Sequence, residues 1–332
     1  MYHYFLCNRF GILRLKILSN LIRYVSVFSE NIAIFSAFIS KTCLSFQKKI
    51  YLDEQQKSKI MNKEDKMELG SVQETLLLPL WGRAVETKKS HPLLIDNMAV
   101  TIMDSIPYDF SVIAKNVSRI SRLSWIARSI YFDKNIKAFI ADNPDATIVN
   151  VGCGLDTTFD RVDNGKIHWI DLDLPDTIAL RKKYIQESDR RTFVPASALD
   201  TDWYEYVENA DKVMFMIAGV IYYFSETEIK KMFYNFHNYV PGVEIVFDYE
   251  SKIGMKNANK FVIKGGGMDK SAYLKWGINN IFDIEKWNSS IEIISDMPLF
   301  SEFKNKFHLF KRLGMSFCDS MKIMSLAHIR IK

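Results

Sequence analysis

The chain has 332 residues, of which 48% are hydrophobic and 25% charged, so wholesale disorder is excluded. Only 14 glycines and 8 prolines occur, which excludes collagen-like and linker-rich architectures. The formal charge of +5 comes from 44 basic and 39 acidic side chains spread along the chain, a balance too mild and too dispersed for nucleic-acid binding. Cys7, Cys43, Cys153 and Cys318 are far apart, without a C-x-x-C pair, and the six histidines match no zinc-ligand spacing. No metal site is expected, and the isolated thiols point to a reducing, cytoplasmic compartment.

Residues 1–60 read unlike the rest. From Ile17 to Phe46 the chain is rich in Ile, Phe, Leu and Ser, but Arg23, Glu30 and Lys41 interrupt it. No run reaches the roughly 18–20 apolar residues of a membrane span. A compact apolar region followed by a small-x-small cleavage site is also lacking. Three readings stand: translation that begins at Met61 or Met67, a pair of amphipathic helices packed on the body, or a membrane-surface anchor. The polar stretch from Asp53 to Glu68 is a linker in all three. Residues 61–332 then form the body.

From Gln73 to Asn143 apolar residues recur at three- and four-residue spacing, in Leu76–Leu80, Met98–Met103 and Ile120–Ile140. Asp104–Pro107 breaks the pattern, and Asn143-Pro144-Asp145 ends it. The period then changes. Thr147–Val151, Ile167–Ile170, Thr192–Pro195, Lys212–Ile217 and Val243–Phe247 read as short strands. Helical segments at Ile178–Glu187 and Glu226–Asn238 lie between them. Strand alternating with helix predicts a parallel sheet with crossover helices on both faces. Ile291–Ser295 and Met321–Ile331 add two strands around a helix expected at Phe300–Arg312. The fold class is α/β: seven strands over about 146–332, with a helical cap over about 70–143.

The most informative run is V-N-V-G-C-G-L-D-T, Val149 to Thr157, where the first strand ends. Gly152 and Gly154 permit a tight turn and a close ligand approach, in the crevice where open parallel sheets bind ligands. The second strand ends in I-D-L-D-L-P, placing Asp171 and Asp173 17 and 19 residues beyond Gly154. A carboxylate there can accept hydrogen bonds from a ribose diol, and the spacing of two puts both on one side of an extended chain. One can hold ribose while the other caps the following helix. A dinucleotide fits poorly, because the third glycine is replaced by Thr157 and Asp156 repels a pyrophosphate. S-adenosylmethionine, cationic and without phosphate, suits the turn better.

These residues resemble the leucine carboxyl methyltransferase family, and more closely its bacterial branch, the tetracenomycin polyketide-type O-methyltransferases. The resemblance rests on V-N-V-G-C-G-L-D-T-T-F-D-R-V with W-I-D-L-D-L-P, on V-Q-E-T-L-L-L-P-L-W-G-R-A-V-E-T from Val72, and on R-S-I-Y-F-D from Arg128. It covers about Gly70 to Lys332 and leaves residues 1–60 outside. It implies a class I methyltransferase sheet (Rossmann-like), with the last strand antiparallel and an N-terminal helical lid. It also implies S-adenosyl-L-methionine as cofactor. Carried over by position, Arg128, and less directly Arg83, would bind the carboxylate of the cofactor's amino-acid tail. Gly152 and Gly154 would line the tail and sulfonium, and Asp173 the ribose. Ser197 and Ala198 fall in the loop expected at the adenine, where relatives often carry an Asp in place of Ser197; Asp200 stands three residues on. Ala218 stands where relatives often carry a Glu.

The expected activity is methyl transfer to a carboxylate or acidic phenol of a small molecule, since no histidine in the motifs offers a base. No catalytic residue is assigned, although Tyr222 and Tyr223 sit beside the expected methyl position. Acceptor choice is expected from the lid and from Lys256–Trp287, which contains K-G-G-G-M. Two other readings stand beside this one. The first is a non-catalytic S-adenosylmethionine-binding protein held at a membrane surface through residues 1–60. The second is an NAD-dependent oxidoreductase, which Thr157 disfavours.

Overall fold

The computed structural model describes residues 71–332 apart from 208, 209, 211, 264–272 and 303. The readings of residues 1–60 and of the K-G-G-G-M run lie outside the described residues. Those described belong to one compact unit formed by Asn62–Lys264 and Met268–Lys332.

Four helices come first: α1 (Ser71–Thr87), α2 (Asn97–Ser105), α3 (Ser111–Asn116) and α4 (Arg119–Asp142). Helix α4 starts where the Ser118 hydroxyl accepts the Ser121 N–H, and it stops at Asn143 ahead of Pro144. Seven strands follow: β1 (Thr147–Val151), β2 (His168–Asp173), β3 (Arg191–Pro195), β4 (Val213–Ile217), β5 (Val243–Glu250), β6 (Ile291–Pro298) and β7 (Met324–Ile331). Between them lie α5 (Phe159–Val162), α6 (Pro175–Arg181), α7 (Glu226–Tyr239), α8 (Lys252–Asn257) and α9 (Leu309–Ser320).

The strands form one sheet in the order β3-β2-β1-β4-β5-β7-β6. β1 to β5 run parallel, and β7 lies antiparallel between β5 and β6. The expected seven strands and antiparallel last strand are therefore present. Two expected helices are displaced, while several strands shift or lengthen by one to three residues at an end. The helix expected at Phe300–Arg312 lies instead at Leu309–Ser320, after a turn and a short 3-10 segment at Lys304–Lys306. The helix expected at Ile178–Glu187 is Pro175–Arg181, because Pro175 suits the first helical position.

Alternation along each strand builds two layers. Val149, Val151, Phe215, Ile217, Ile245 and Phe247 face α7, packing against Ile229, Phe233 and Phe236. Ile148, Met214, Met216 and Val246 face the other way, onto Leu123, Phe132 and Ile136 of α4. A third cluster packs Leu77, Leu80 and Ile102 of α1 and α2 against Cys153 and Leu155, just after β1. The helical front is thus fastened to the glycine turn. Among the described residues, no helix is long and apolar enough to cross a membrane.

Candidate functional site

The sheet order reverses between β1 and β4, so the loops leaving these two strands diverge and open a crevice at their carboxyl ends. Gly152 takes φ +69° there, and a Cβ on it would lie 2.4 Å from Val220 Cγ2 in the loop after β4. Only glycine lets the two loops approach this closely. Gly154 takes φ +46°, and its N–H donates to Asp173 Oδ2 at 2.8 Å.

Arginines hold the turn from behind. Arg181 Nη1 donates to the Gly154 carbonyl at 2.8 Å and its Nη2 to the Asp156 carbonyl at 2.9 Å. Arg83 Nη2 donates to the Leu155 carbonyl at 3.1 Å. Three carbonyls of the turn are thus held by guanidinium groups.

The expected site residues divide into two groups. Gly152, Gly154 and Asp173 stand together at the strand ends. Asp173 is partly exposed; its Oδ1 accepts the Leu174 N–H at 2.7 Å, and each oxygen keeps a further lone pair. Burial raises its pKa, against the lowering effect of the Gly154 and Leu174 N–H groups. Asp171, in contrast, is fully buried. Its Oδ1 accepts from Asn150 Nδ2 and Trp169 Nε1, each at 3.0 Å. Its Oδ2 accepts from Arg181 at 2.8 Å and Arg191 at 2.9 Å. Four donors occupy this carboxylate and none of its surface faces the crevice, so its placement is that of a frame residue.

Arg83 is also buried. Its Nε donates to Asp96 Oδ2 at 2.8 Å, and the same oxygen accepts Arg161 Nη1 and the Thr157 hydroxyl, each at 2.6 Å. Asp96 Oδ1 meanwhile caps α2 by accepting the Ala99 N–H at 2.9 Å. Arg83 is therefore committed to an ionic cluster behind the turn. Beside it, Asp156 is held near a pKa of about 2: burial works to raise it, but Arg83, Arg161 and the Thr158 N–H outweigh that.

Arg128 projects from α4 to the end of β4. Its Nη1 donates to Asp248 Oδ2 at 3.1 Å, and its guanidinium lies over Gly219, where an added Cβ would meet Nη1 at 2.7 Å. The rest of the guanidinium has no partner among the described residues, and the side chain is 14% exposed. Burial disfavours its charge, yet Asp248 outweighs that and strengthens protonation. Asp248 also accepts the Gly219 N–H. A carboxylate from β5 thus stands one residue along from Ala218.

The loop after β3 closes on itself. The Ser197 N–H donates to Asp200 Oδ2 at 3.0 Å, and the Ser197 hydroxyl accepts the Leu199 N–H at 3.2 Å. Ala198 packs against the α7-side layer. Tyr222 and Tyr223 lie in a 3-10 turn after β4, their rings 5.1 Å apart, and burial raises both phenol pKa values. Glu250, the last residue of β5, is 7% exposed, and its Oε2 has no hydrogen-bond partner. Burial, with the charge of Asp248, pushes its pKa up to about 8.

Asp248, Glu250, Gly219 and Asp96 were not singled out in the sequence. A signal for two of them existed, because D-Y-E at the end of β5 repeats the spacing of D-L-D at the end of β2. A cavity of about 650 Å³ lined by Leu93, Asp96, Asp133, Lys137 and Arg161 includes none of the strand-end residues and lies apart from this chemistry.

The pattern of the leucine carboxyl methyltransferase family matches residues 77–237. The tetracenomycin polyketide synthesis O-methyltransferase TcmP of Streptomyces glaucescens is 31% identical over 181 residues, 54% of this chain and 66% of that protein. An S-adenosyl-L-methionine-dependent methyltransferase of Gibberella zeae, dpfgK, is 30% identical over 131 residues, 37% of this chain and 44% of that protein. In both cases the match spans less than two thirds of the relative's length. Among solved structures, a DUF574 family protein from Streptomyces avermitilis aligns with a TM-score of 0.50 at 9% identity. That alignment covers 78% of this chain and 97% of the other, a likeness of fold.

Proposed function

From the match of residues 77–237 to the leucine carboxyl methyltransferase family pattern, we propose that the chain is an S-adenosylmethionine-dependent O-methyltransferase acting on a carboxylate or acidic phenol of a small molecule. The observation that carries the proposal is the pairing of the glycine turn with Asp173 at the open strand ends. Gly152 and Gly154 give the turn its left-handed backbone, packed tightly under Val220 and Leu76, and Asp173 at its side keeps lone pairs for a ribose diol.

The residues present fit this cofactor. Arg128 has donors that meet no partner among the described residues and suit an amino-acid carboxylate, and no phosphate cradle is required. The Ser197–Asp200 turn and Ala198 border the space assigned to adenine. Asp171 and Arg83 act from behind, by fixing the turn. When bound, S-adenosylmethionine would supply an electrophilic methyl group on a sulfonium to an acceptor oxygen, with sulfur keeping the bonding pair. The chain's part is to align the acceptor and exclude water, and alignment can supply as much as ~7–11 kcal/mol of the barrier. We place the enzyme in the cytoplasm, a reading supported by the unpaired Cys153 and Cys318.

The test is calorimetric binding of S-adenosylhomocysteine to the full chain, with NAD as control. Binding of S-adenosylhomocysteine alone is the expected result. Binding of neither ligand would remove the proposal, and binding of NAD alone would replace it with an oxidoreductase.

A further inference from the structure

The methyltransferase reading leaves a buried carboxyl at the strand ends unused. Asp248 and Glu250 are two residues apart on β5 and share the face that carries Val246 onto α4. They therefore stand on the side from which Arg128 reaches in, at the strand ends beside Gly219, Tyr222 and Tyr223. Asp248 is spent on Arg128 and the Gly219 N–H. Glu250 is not: it is 7% exposed, and nothing donates to its Oε2. The backbone around it is satisfied, since its carbonyl accepts the Ile278 N–H at 2.9 Å. Across the sheet its neighbour on β7 is Met324, which brings no charge.

Among the described residues, the ionisable groups around Glu250 are Asp248 on its own strand, Tyr222 and Tyr223 from the turn after β4, and Arg128 from α4, already paired. None supplies a free cation. Burying a carboxylate without a cation is costly, and burial beside Asp248 favours the protonated form of Glu250. A protonated carboxyl carries one O–H donor, and at Oε2 that donor has no partner among the described residues.

Resting on the methyltransferase reading, we infer that Glu250 holds the methyl acceptor: its neutral carboxyl donates a hydrogen bond to one oxygen of an acceptor carboxylate, and the other oxygen takes the methyl group. The new O–C bond forms as the S–C bond breaks. The acceptor has no proton to lose, and Glu250 keeps its own. An acceptor with two equivalent oxygens fits this arrangement better than a phenolate, whose single oxygen would have to serve both contacts. Ionisation of Glu250 sets two like charges against each other and expels the acceptor.

The experiment uses the full chain as wild type, Glu250→Gln and Glu250→Ala. S-adenosylhomocysteine calorimetry on all three reports folding and the parent reading. Isotope-edited infrared spectroscopy reports the Glu250 proton without any acceptor. Turnover is read as S-adenosylhomocysteine formed from S-adenosylmethionine with benzoate, salicylate or 1-naphthoate. At pH 7 the wild type should show a protonated-carboxyl band that Glu250→Gln lacks and that disappears toward pH 9. Glu250→Gln, which keeps a donor, should retain turnover within about threefold and lose the alkaline fall seen in the wild type. Glu250→Ala should raise KM at least tenfold with S-adenosylhomocysteine affinity unchanged. An ionised Glu250 at pH 7 overturns the inference, whether or not the three acids are turned over. So does a Glu250→Gln variant as impaired as Glu250→Ala, the mark of a base acting on a neutral hydroxyl. A wild type that binds no S-adenosylhomocysteine overturns the parent reading, and the infrared band separates that failure from this one.

Discussion

At Gly152 an added methyl group would meet two obstacles. The backbone sits at φ +69°, costly for any residue with a Cβ, and that Cβ would lie 2.4 Å from Val220. Gly152→Ala should cost about 1–3 kcal/mol of stability and weaken S-adenosylhomocysteine binding, measured by thermal melting and calorimetry. Adding Val220→Ala should relieve the contact and leave the backbone cost, so the double variant recovers only in part. Asp173→Ala should weaken S-adenosylhomocysteine by ~1.5–3 kcal/mol; unchanged affinity would exclude it from the ribose. Both positions were legible in the sequence, because a turn after a strand and an acid at the end of the next strand are local patterns. Glu250 was legible by the same rule and was missed, since D-Y-E ends a strand with no glycine turn after it to draw notice. The fates of Arg83 and Asp171 were not legible. Whether an arginine meets a ligand or an aspartate depends on partners brought in by folding, such as Asp96 and Thr157 for Arg83.

At the scale of elements, the turn after β1 is held by the helices behind it. Asp96 is the joint: it caps α2, pairs with Arg83 of α1 and Arg161 of α5, and accepts the Thr157 hydroxyl. Removing it would leave two buried guanidinium groups short of their counter-charge. Asp96→Ala should therefore destabilise the chain by about 3–5 kcal/mol in denaturant melts. A loss under 1 kcal/mol would mean that Asp133 carries Arg161 alone. The helices in front were readable from their spacing because they bury one face. The helix near the C-terminus was placed too early for the opposite reason. Leu309, Phe310 and Leu313 in α9 are 65%, 88% and 58% exposed, so their apolar spacing marks no buried stripe. Phe300, read as the start of that helix, is instead buried in the turn after β6.

For the whole molecule, the change from helical to strand period revealed an α/β sheet. It could not reveal the order β3-β2-β1-β4-β5-β7-β6, which decides that the ends of β1, β4 and β5 converge on one crevice. That convergence brings carboxyl groups of opposite tendency into one fold. Asp156 is held near a pKa of about 2, so its contribution is present above the ordinary 3.8 and lost as pH falls through about 2. Glu250 has the reverse sign. Its folded pKa of about 8 lies above the ordinary 4.5, so the unfolded chain releases this proton first as pH rises. Its contribution is present below pH 4.5 and is lost progressively up to about pH 8. Glu250→Gln cannot ionise, so its stability relative to the wild type should improve across that window, by on the order of 1–4 kcal/mol. Urea melts of both proteins at pH 4.5, 6 and 8 measure the difference directly. Parallel curves would mean that Glu250 ionises as freely in the folded chain as in the unfolded one, and that burial at the end of β5 does not hold its proton.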